Sequence, residues 1–251
     1  MVYEDSTPVA PPQVLQLPLA RIRAIYPLIV VNVLAFIPYL SMHLNLEGIW
    51  YLTLGLGGLI PSAVLDYYQL WRLITAGFLH ADYLHIALNM YALHNIGRDA
   101  ERLFGTGRFL LSYLLSLLSG SILVTALAGR ETGTIGASGA IMGIVGMLLI
   151  YSKNYREVPA VNEMFGSMLR MALLNLGIGL LPGISLWGHL GGLLGGLAAG
   201  WAFCPRYQII AGTEWSPARI TLEPWGTREM QRLGLVTAGL VAALALTLWV
   251  R

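Results

Sequence analysis

A serine lies at the centre of the stretch GTIGASGAIMG, residues 133–143. Ser138 stands among glycine and alanine, inside an uncharged run that covers residues 132–152. A hydroxyl group in such a run is either a packing element between two close helices or a nucleophile. The positions of the other polar residues in the chain distinguish between these two interpretations.

Three further polar residues suit nucleophilic catalysis together with this serine. His189 lies in the segment WGHLGGLLGG, and His85 and Asn89 lie four residues apart in HADYLHIALNM, on one helix face. A serine beside an imidazole is the basic unit of a nucleophile and its general base. Because the apolar segments around the serine and His189 contain no Asp or Glu, we expect a Ser138–His189 dyad instead of a triad.

Acyl transfer also needs hydrogen-bond donors for the oxyanion. His85 and Asn89 can provide side-chain N–H groups. The backbone N–H of Ser138 can provide another donor if a helix begins there, because the first N–H groups of a helix have no intrahelical acceptor. The alternative role for His85 and Asn89 is structural, as residues that form hydrogen bonds between helices.

The composition indicates that these residues lie on membrane helices. The chain has 251 residues, of which 56% are hydrophobic and 11% charged, whereas soluble domains are about 25% charged. We therefore expect an integral membrane protein. The net charge of +2 is too small and too scattered to indicate nucleic-acid binding. Cys204 is the single cysteine, which excludes an internal disulfide framework and a multi-cysteine metal site.

Seven apolar segments are each expected to form a membrane-spanning helix, which needs about 20 mostly apolar residues. Residues 171–205 are too long for one crossing, and LPGIS in their middle predicts a break into two helices. The predicted spans are 24–46, 79–96, 109–128, 137–151, the two parts of 171–205, and 233–250.

Residues 47–78 are ambiguous, because 48–65 are uncharged and long enough to cross. If they do not cross, only Arg72, Arg130 and Arg251 lie outside, which leaves 12 of the 15 basic residues on the cytoplasmic side. This distribution agrees with the positive-inside rule. We therefore predict a cytoplasmic N-terminus and a first loop, 47–78, that dips into the outer leaflet. Its interfacial aromatic residues are Trp50, Tyr51, Tyr67, Tyr68 and Trp71.

These segments define the predicted domain organisation. Residues 1–20 are acidic and then proline-rich, and we expect them to be a disordered cytoplasmic tail. Residues 21–205 are expected to form a six-helix core, 206–232 a cytoplasmic linker, and 233–251 a seventh transmembrane helix.

Glycine spacing predicts how the serine and the histidine meet. Stripes of small residues let helices pack closely in membranes. If the stripes on the two helices face each other, Ser138 and His189 come together near the outer surface. The stripes are Gly139 and Gly143 on one helix, and Gly188, Gly192, Gly196 and Gly200 on the other.

The same motifs resemble those of the rhomboid family of intramembrane serine proteases. They occur in the family's order over residues 71–200: WR at 71–72, HADYLHIALNM, ERLFG at 101–105, GASG around the serine, and GHLGGLLGG. The resemblance implies that Ser138 is the nucleophile and His189 the base. It also implies that His85, Asn89 and the Ser138 amide hold the oxyanion. The activity it implies is cleavage of single-span membrane helices near their outer ends, without metal or cofactor.

One position departs from the family pattern. Many members carry an aromatic residue four positions after the serine, where it stacks on the catalytic histidine. Here that position is Met142. A thioether can contact an imidazole, but we expect it to hold the ring less firmly.

The remaining polar residues are expected to be structural. Arg72 and Glu101 should fix loops, His80 should form hydrogen bonds in a loop, and His94 lies deeper in its helix. The spacing of His80, His85 and His94 places no pair on one helix face, and the HExxH pattern is absent. We therefore expect no metal site.

The sequence thus predicts an all-α polytopic membrane helix bundle that is rhomboid-like and acts as a serine endopeptidase on transmembrane proteins. One alternative is a proteolytically inactive rhomboid-like protein that binds membrane clients, which the presence of both Ser138 and His189 disfavours. The other is a transporter, which the lack of matching broken helices in the two halves disfavours. We expect the plasma membrane of a bacterium, with an organelle inner membrane as the alternative. The sequence indicates neither the substrate nor the oligomeric state.

Overall fold

The computed structural model describes residues 17–41, 54–211 and 218–250 of the chain. Most of the predicted tail, together with Trp50 and Tyr51 of the predicted first loop, lies outside these ranges.

Seven long helices occur in the described ranges, and each overlaps one of the predicted apolar segments. Two short helices precede the second long one, and a 3₁₀ turn at Ala76–Phe78 follows them. The predicted all-α bundle is confirmed. The helices are α1 Ile25–Ser41, α2 Pro61–Tyr67, α3 Arg72–Thr75, α4 Tyr83–Phe104, α5 Thr106–Leu127, α6 Ser138–Asn154, α7 Pro159–Ile178, α8 Leu186–Phe203 and α9 Thr227–Val250.

Helix ends differ from the predicted spans because polar residues take part in the helices. α4 begins at Tyr83 instead of residue 79, since the Asp82 carboxylate caps it by accepting the backbone N–H of His85 at 2.7 Å. α7 begins at Pro159 and α9 at Thr227, both earlier than predicted. A proline in the first turn favours the start of α7. For α7 and α9, the predicted spans counted only uncharged residues, whereas these helices continue beyond the apolar stretch.

Hydropathy and length alone identify only some of these helices as able to span a membrane. Among the described helices, α5 and α9 are both long and apolar enough to cross a bilayer by those measures. α4 instead carries histidine, asparagine and charged residues, which lower its hydropathy.

The described part of the predicted first loop is folded into α2, α3 and the 3₁₀ turn, and none of these is long enough to cross a bilayer. Arg72 is buried and donates hydrogen bonds to the carbonyl oxygens of Leu54 and Gly58, at 2.7 and 2.5 Å. It also donates to the Gln69 side chain at 2.6 Å. Arg72 therefore fixes this segment, as predicted.

Glu101 joins three helices. Its fully buried carboxylate accepts the backbone N–H groups of Arg23 and Ala24 at 2.8 Å and that of Ile25 at 3.0 Å, at the start of α1. It also accepts the Thr106 hydroxyl at the start of α5, at 2.8 Å. The structural role predicted for Glu101 is confirmed.

The predicted linker contains a hairpin. Strand β1, Tyr207–Ile210, pairs antiparallel with β2, Arg219–Leu222, so that Tyr207 lies opposite Leu222. The sequence analysis missed these strands because four residues give too short a pattern for a period of two to stand out.

α8 packs between α6 and α5, and glycine allows the close approach on both sides. A Cβ atom at Gly192 would overlap the Gly139 carbonyl of α6, and one at Gly196 would overlap that of Gly143. The two predicted glycine stripes therefore face each other.

A third glycine contact was not predicted. On the α5 side, a Cβ at Gly191 would lie 2.7 Å from the Ser119 carbonyl oxygen. One at Gly195 would lie 2.8 Å from the Ser119 Cβ. α8 is therefore held by glycine on two faces, which fixes its height and rotation in the bundle.

Candidate active site

Ser138 and His189 are in hydrogen-bond contact. The Ser138 Oγ lies 3.0 Å from the His189 Nε2. Ser138 is the first residue of α6 and His189 lies in the first turn of α8, so the two helices deliver both groups at the same end of the bundle. The facing glycine stripes explain why two helices that are far apart in the sequence bring these side chains so close.

The other nitrogen of His189 determines how the ring can react. Nδ1 lies 3.1 Å from the Asn175 carbonyl oxygen of α7. A carbonyl only accepts, so Nδ1 carries the hydrogen and Nε2 of the neutral ring is left as an acceptor for the serine O–H. This is the tautomer that a general base needs.

The start of α8 is fixed by Ser185. The Gly188 N–H donates to the Ser185 Oγ at 3.1 Å, and the His189 N–H donates to the Ser185 carbonyl at 3.0 Å. This serine is a helix N-cap, a role that its position before the apolar run would have indicated. Sequence reasoning missed Ser185 and also Asn175, which contributes a backbone carbonyl and so leaves no signal in residue type.

His85 and Asn89 lie against the backbone that leads into Ser138. Gly136 has a φ of +118°, which disfavours any side chain. A Cβ there would also lie 2.7 Å from the His85 Nε2 and 3.8 Å from the Asn89 Nδ2. Glycine at this position therefore lets both side chains of α4 approach the start of α6.

The side chains of His85 and Asn89 each present an N–H group near Gly136. The Ala81 N–H points to the His85 Nδ1 at 3.4 Å, which leaves the hydrogen of the neutral ring on Nε2. The Asn89 Nδ2 donates to the His85 carbonyl at 3.0 Å, so one of its two hydrogens remains available. Both side chains therefore keep an N–H group near Gly136, two residues before Ser138.

The segment before Ser138 is held by the region between residues 54 and 78. Leu59 and Thr134 exchange two backbone hydrogen bonds, at 2.9 and 2.8 Å. The Gly136 N–H donates to the Ala76 carbonyl at 2.9 Å. The sequence analysis did not predict this clamp, which fixes the approach of the chain to α6.

His80 and Met142 lie near the site without joining the dyad. His80 precedes α4, its ring meets that of His85 edge to face with centroids 5.0 Å apart, and burial lowers its pKa to about 3. It is therefore a neutral packing partner of His85 at physiological pH. Met142 is buried and packs in a cluster with Ala172 of α7 and Leu193 of α8.

A cavity of about 410 Å³ opens beside the site. Its lining includes His85, Ile135 and Ser185, with Thr132 and Thr134 from the segment before α6. A space of this size, with hydroxyl groups in its lining, can hold water close to His85.

Known proteins of similar sequence match this chain. The family model described as Rhomboid domain covers residues 67–206. RHOMBOID-like protein 6, mitochondrial, of Arabidopsis thaliana is 39% identical over 154 residues, which are 61% of this chain and 50% of that protein. Rhomboid protease GluP of Bacillus subtilis is 38% identical over 130 residues, which are 51% of this chain and 25% of that protein.

A third relative comes from another organism. Rhomboid-type serine protease 2 of Emericella nidulans is 38% identical over 135 residues, which are 53% of this chain and 26% of that protein. The chain thus spans at most about half the length of these three relatives. The family model nevertheless covers more than half of the chain and contains all four predicted site residues. The chain belongs to the rhomboid family of membrane proteins.

Proposed function

We propose that this protein is an intramembrane serine endopeptidase in which Ser138 is the nucleophile and His189 the general base. The observation that carries the proposal is the 3.0 Å contact between the Ser138 Oγ and the His189 Nε2. The Asn175 carbonyl supports it, because its contact with Nδ1 leaves Nε2 free to accept a proton. This carbonyl takes the orienting role that a carboxylate has in a triad.

The reaction proceeds in two halves. The His189 Nε2 takes the proton of Ser138 while Oγ attacks the carbonyl carbon of a peptide bond. The tetrahedral oxyanion accepts hydrogen bonds from His85, Asn89 and the Ser138 amide. The imidazolium then gives its proton to the leaving amine, which leaves an acyl-enzyme. Water from the adjoining cavity, deprotonated by His189, hydrolyses the ester and restores the serine hydroxyl.

The substrates we propose are single-span transmembrane proteins. Members of the rhomboid family act on transmembrane substrates within the membrane. The dyad lies at the N-terminal ends of α6 and α8, near one end of the bundle. A substrate helix therefore presents its peptide bond here only after its end has unwound, because the backbone carbonyls of an intact helix are hydrogen-bonded.

The direct test is the Ser138→Ala variant, purified and incubated with a panel of single-span substrates. We expect the cleavage rate to fall by about 10⁴-fold or more, since removal of a nucleophile removes the covalent route. The matched control is Ser167→Ala, which deletes an exposed hydroxyl in α7 and should cleave at the parent rate. Parent-like cleavage by Ser138→Ala would refute the assignment. Substrate binding without cleavage by the parent protein would favour the client-binding alternative.

A further inference from the structure

A second cavity, of about 440 Å³, lies where the ends of α6, α8 and α9 meet. Lys153 lines it near the end of α6, 15 residues after Ser138. At 1.5 Å per residue, the cavity is therefore about 22 Å from the dyad, at the opposite end of the bundle. No step of the proposed reaction uses it.

The charged lining of this cavity is mainly positive. Lys153, Arg206 and Arg232 contribute three cations, and Glu229 is the acidic residue that lines it. The Glu229 carboxylate already accepts the Gly226 N–H at 3.0 Å and lies 3.7 Å from Arg206. An anion entering the cavity therefore meets an excess of positive charge.

Two of the cations are suited to an added ligand. The Arg232 guanidinium lies 4.7 Å from the centroid of the Trp201 ring and donates to the Trp201 carbonyl at 3.0 Å. It is thus held on the cavity wall with further N–H groups to offer. The Lys153 ammonium is exposed and forms no ion pair with any residue in the described ranges.

We propose that this cavity binds the phosphate of an anionic phospholipid headgroup. Arginine and lysine side chains around a shared space match the charge and the acceptor oxygens of a phosphate. The lipid origin follows from the surroundings: Trp201 is 46% exposed, and the apolar surface of α9 is almost entirely outside the bundle. Basic pockets between the ends of membrane helices are typical headgroup sites.

The alternative explanation is that these cations bind no ligand and only reflect the general enrichment of basic residues on one side of a membrane protein. In that case, every basic residue at this end would attract anionic lipid to a similar extent. If the lipid instead binds in the cavity, substitution of a basic residue that lines it should weaken lipid binding. Substitution of a neighbouring basic residue outside the cavity should not.

The test measures lipid retained by the purified full-length protein in native mass spectrometry. Mixed micelles contain phosphatidylglycerol and phosphatidylcholine in equal amounts. We expect the parent protein to retain phosphatidylglycerol preferentially and Lys153→Gln to reduce that preference about fivefold. Arg228→Gln is the matched control, because it removes one exposed cation from the same end of α9 without lining the cavity. It should retain lipid as the parent does.

Three results would overturn the proposal. They are equal retention of the two lipids by the parent, unchanged retention by Lys153→Gln, and an equal loss in Arg228→Gln. Inorganic phosphate added to the lipid-free protein distinguishes the source of the ligand: bound phosphate in a parent protein that retains the two lipids equally would show a site for the free anion instead of a lipid. Thermal unfolding of each variant verifies that the fold is intact, and Lys153 is exposed, so its substitution should not disturb packing.

Discussion

At the scale of single residues, a main-chain group completes the site. The Asn175 carbonyl orients His189, and Gly136 provides the space in which His85 and Asn89 approach Ser138. Both contributions come from the backbone. In a bilayer, this arrangement avoids burial of a carboxylate, whose charge would be costly at that position.

Gly136→Ala tests the donor set at this scale. The added Cβ meets the His85 Nε2 at 2.7 Å, and the backbone φ of +118° disfavours alanine. Displacement of one oxyanion donor should lower kcat by about 10²–10³-fold. Gly177→Ala in α7 is the control, because its Cβ would meet no atom within 4 Å. Steady-state cleavage kinetics verify the prediction, and a Gly136→Ala variant with the kcat of the parent would contradict it.

The sequence could predict those site residues whose chemistry resides in the side chain. Ser138, His189, His85 and Asn89 stand out because polar groups are rare in apolar segments, and the structure brings them together. Their catalytic roles remain our proposal. The Asn175 carbonyl could not be predicted, since every residue has one and only the tertiary fold selects which one meets His189.

At the scale of elements, α8 determines the geometry of the site. It is the helix that packs by glycine against both α5 and α6, and its first turn is fixed by the Ser185 cap. The sequence predicted the α6 contact from a four-residue glycine repeat. It did not predict the α5 contact, because Gly191 and Gly195 face a partner, Ser119, that is not part of a glycine stripe.

Gly192→Ala tests this packing. The added Cβ overlaps the Gly139 carbonyl, which is backbone and cannot move aside as a flexible side chain can. α6 and α8 must separate, and we expect a loss of about 1–3 kcal/mol in stability together with a loss of cleavage.

The control for this substitution is Gly239→Ala in α9, where a Cβ meets no atom within 4 Å. Thermal unfolding and cleavage rate are measured for both variants. Parent-like unfolding and activity of Gly192→Ala would show that the glycine contact does not set the position of the dyad.

Element boundaries were predicted less well than element existence. Apolar runs revealed the seven long helices, but not that α7 and α9 continue through polar residues toward Pro159 and Thr227. A run of uncharged residues reports the thickness of the hydrocarbon, whereas the helix ends where capping or proline stops it. The short helices α2 and α3 and the hairpin of β1 and β2 have too few residues for a periodic pattern.

At the scale of the whole molecule, the two ends of the bundle differ in chemistry. The dyad lies at one end, and the cavity lined by Lys153, Arg206 and Arg232 lies at the other. The positive-inside rule predicts that the second end is cytoplasmic. The dyad would then face the extracytoplasmic side.

Cysteine labelling tests this orientation. In a Cys204→Ser background expressed in a bacterial host, Glu131→Cys places a thiol in the exposed segment before α6, and Arg228→Cys places one at the other end. A membrane-impermeant maleimide should label Glu131→Cys in intact cells and Arg228→Cys only after lysis. The reverse pattern would show the opposite orientation.

The most direct measurement of the central claim is the location of a covalent adduct. A fluorophosphonate probe reacts with a serine hydroxyl that a neighbouring base has activated. Peptide mass spectrometry of the labelled protein should place the adduct on Ser138, and His189→Ala should suppress labelling while the protein stays folded. A folded parent protein that remains unlabelled, or an adduct on a different serine, would contradict the account.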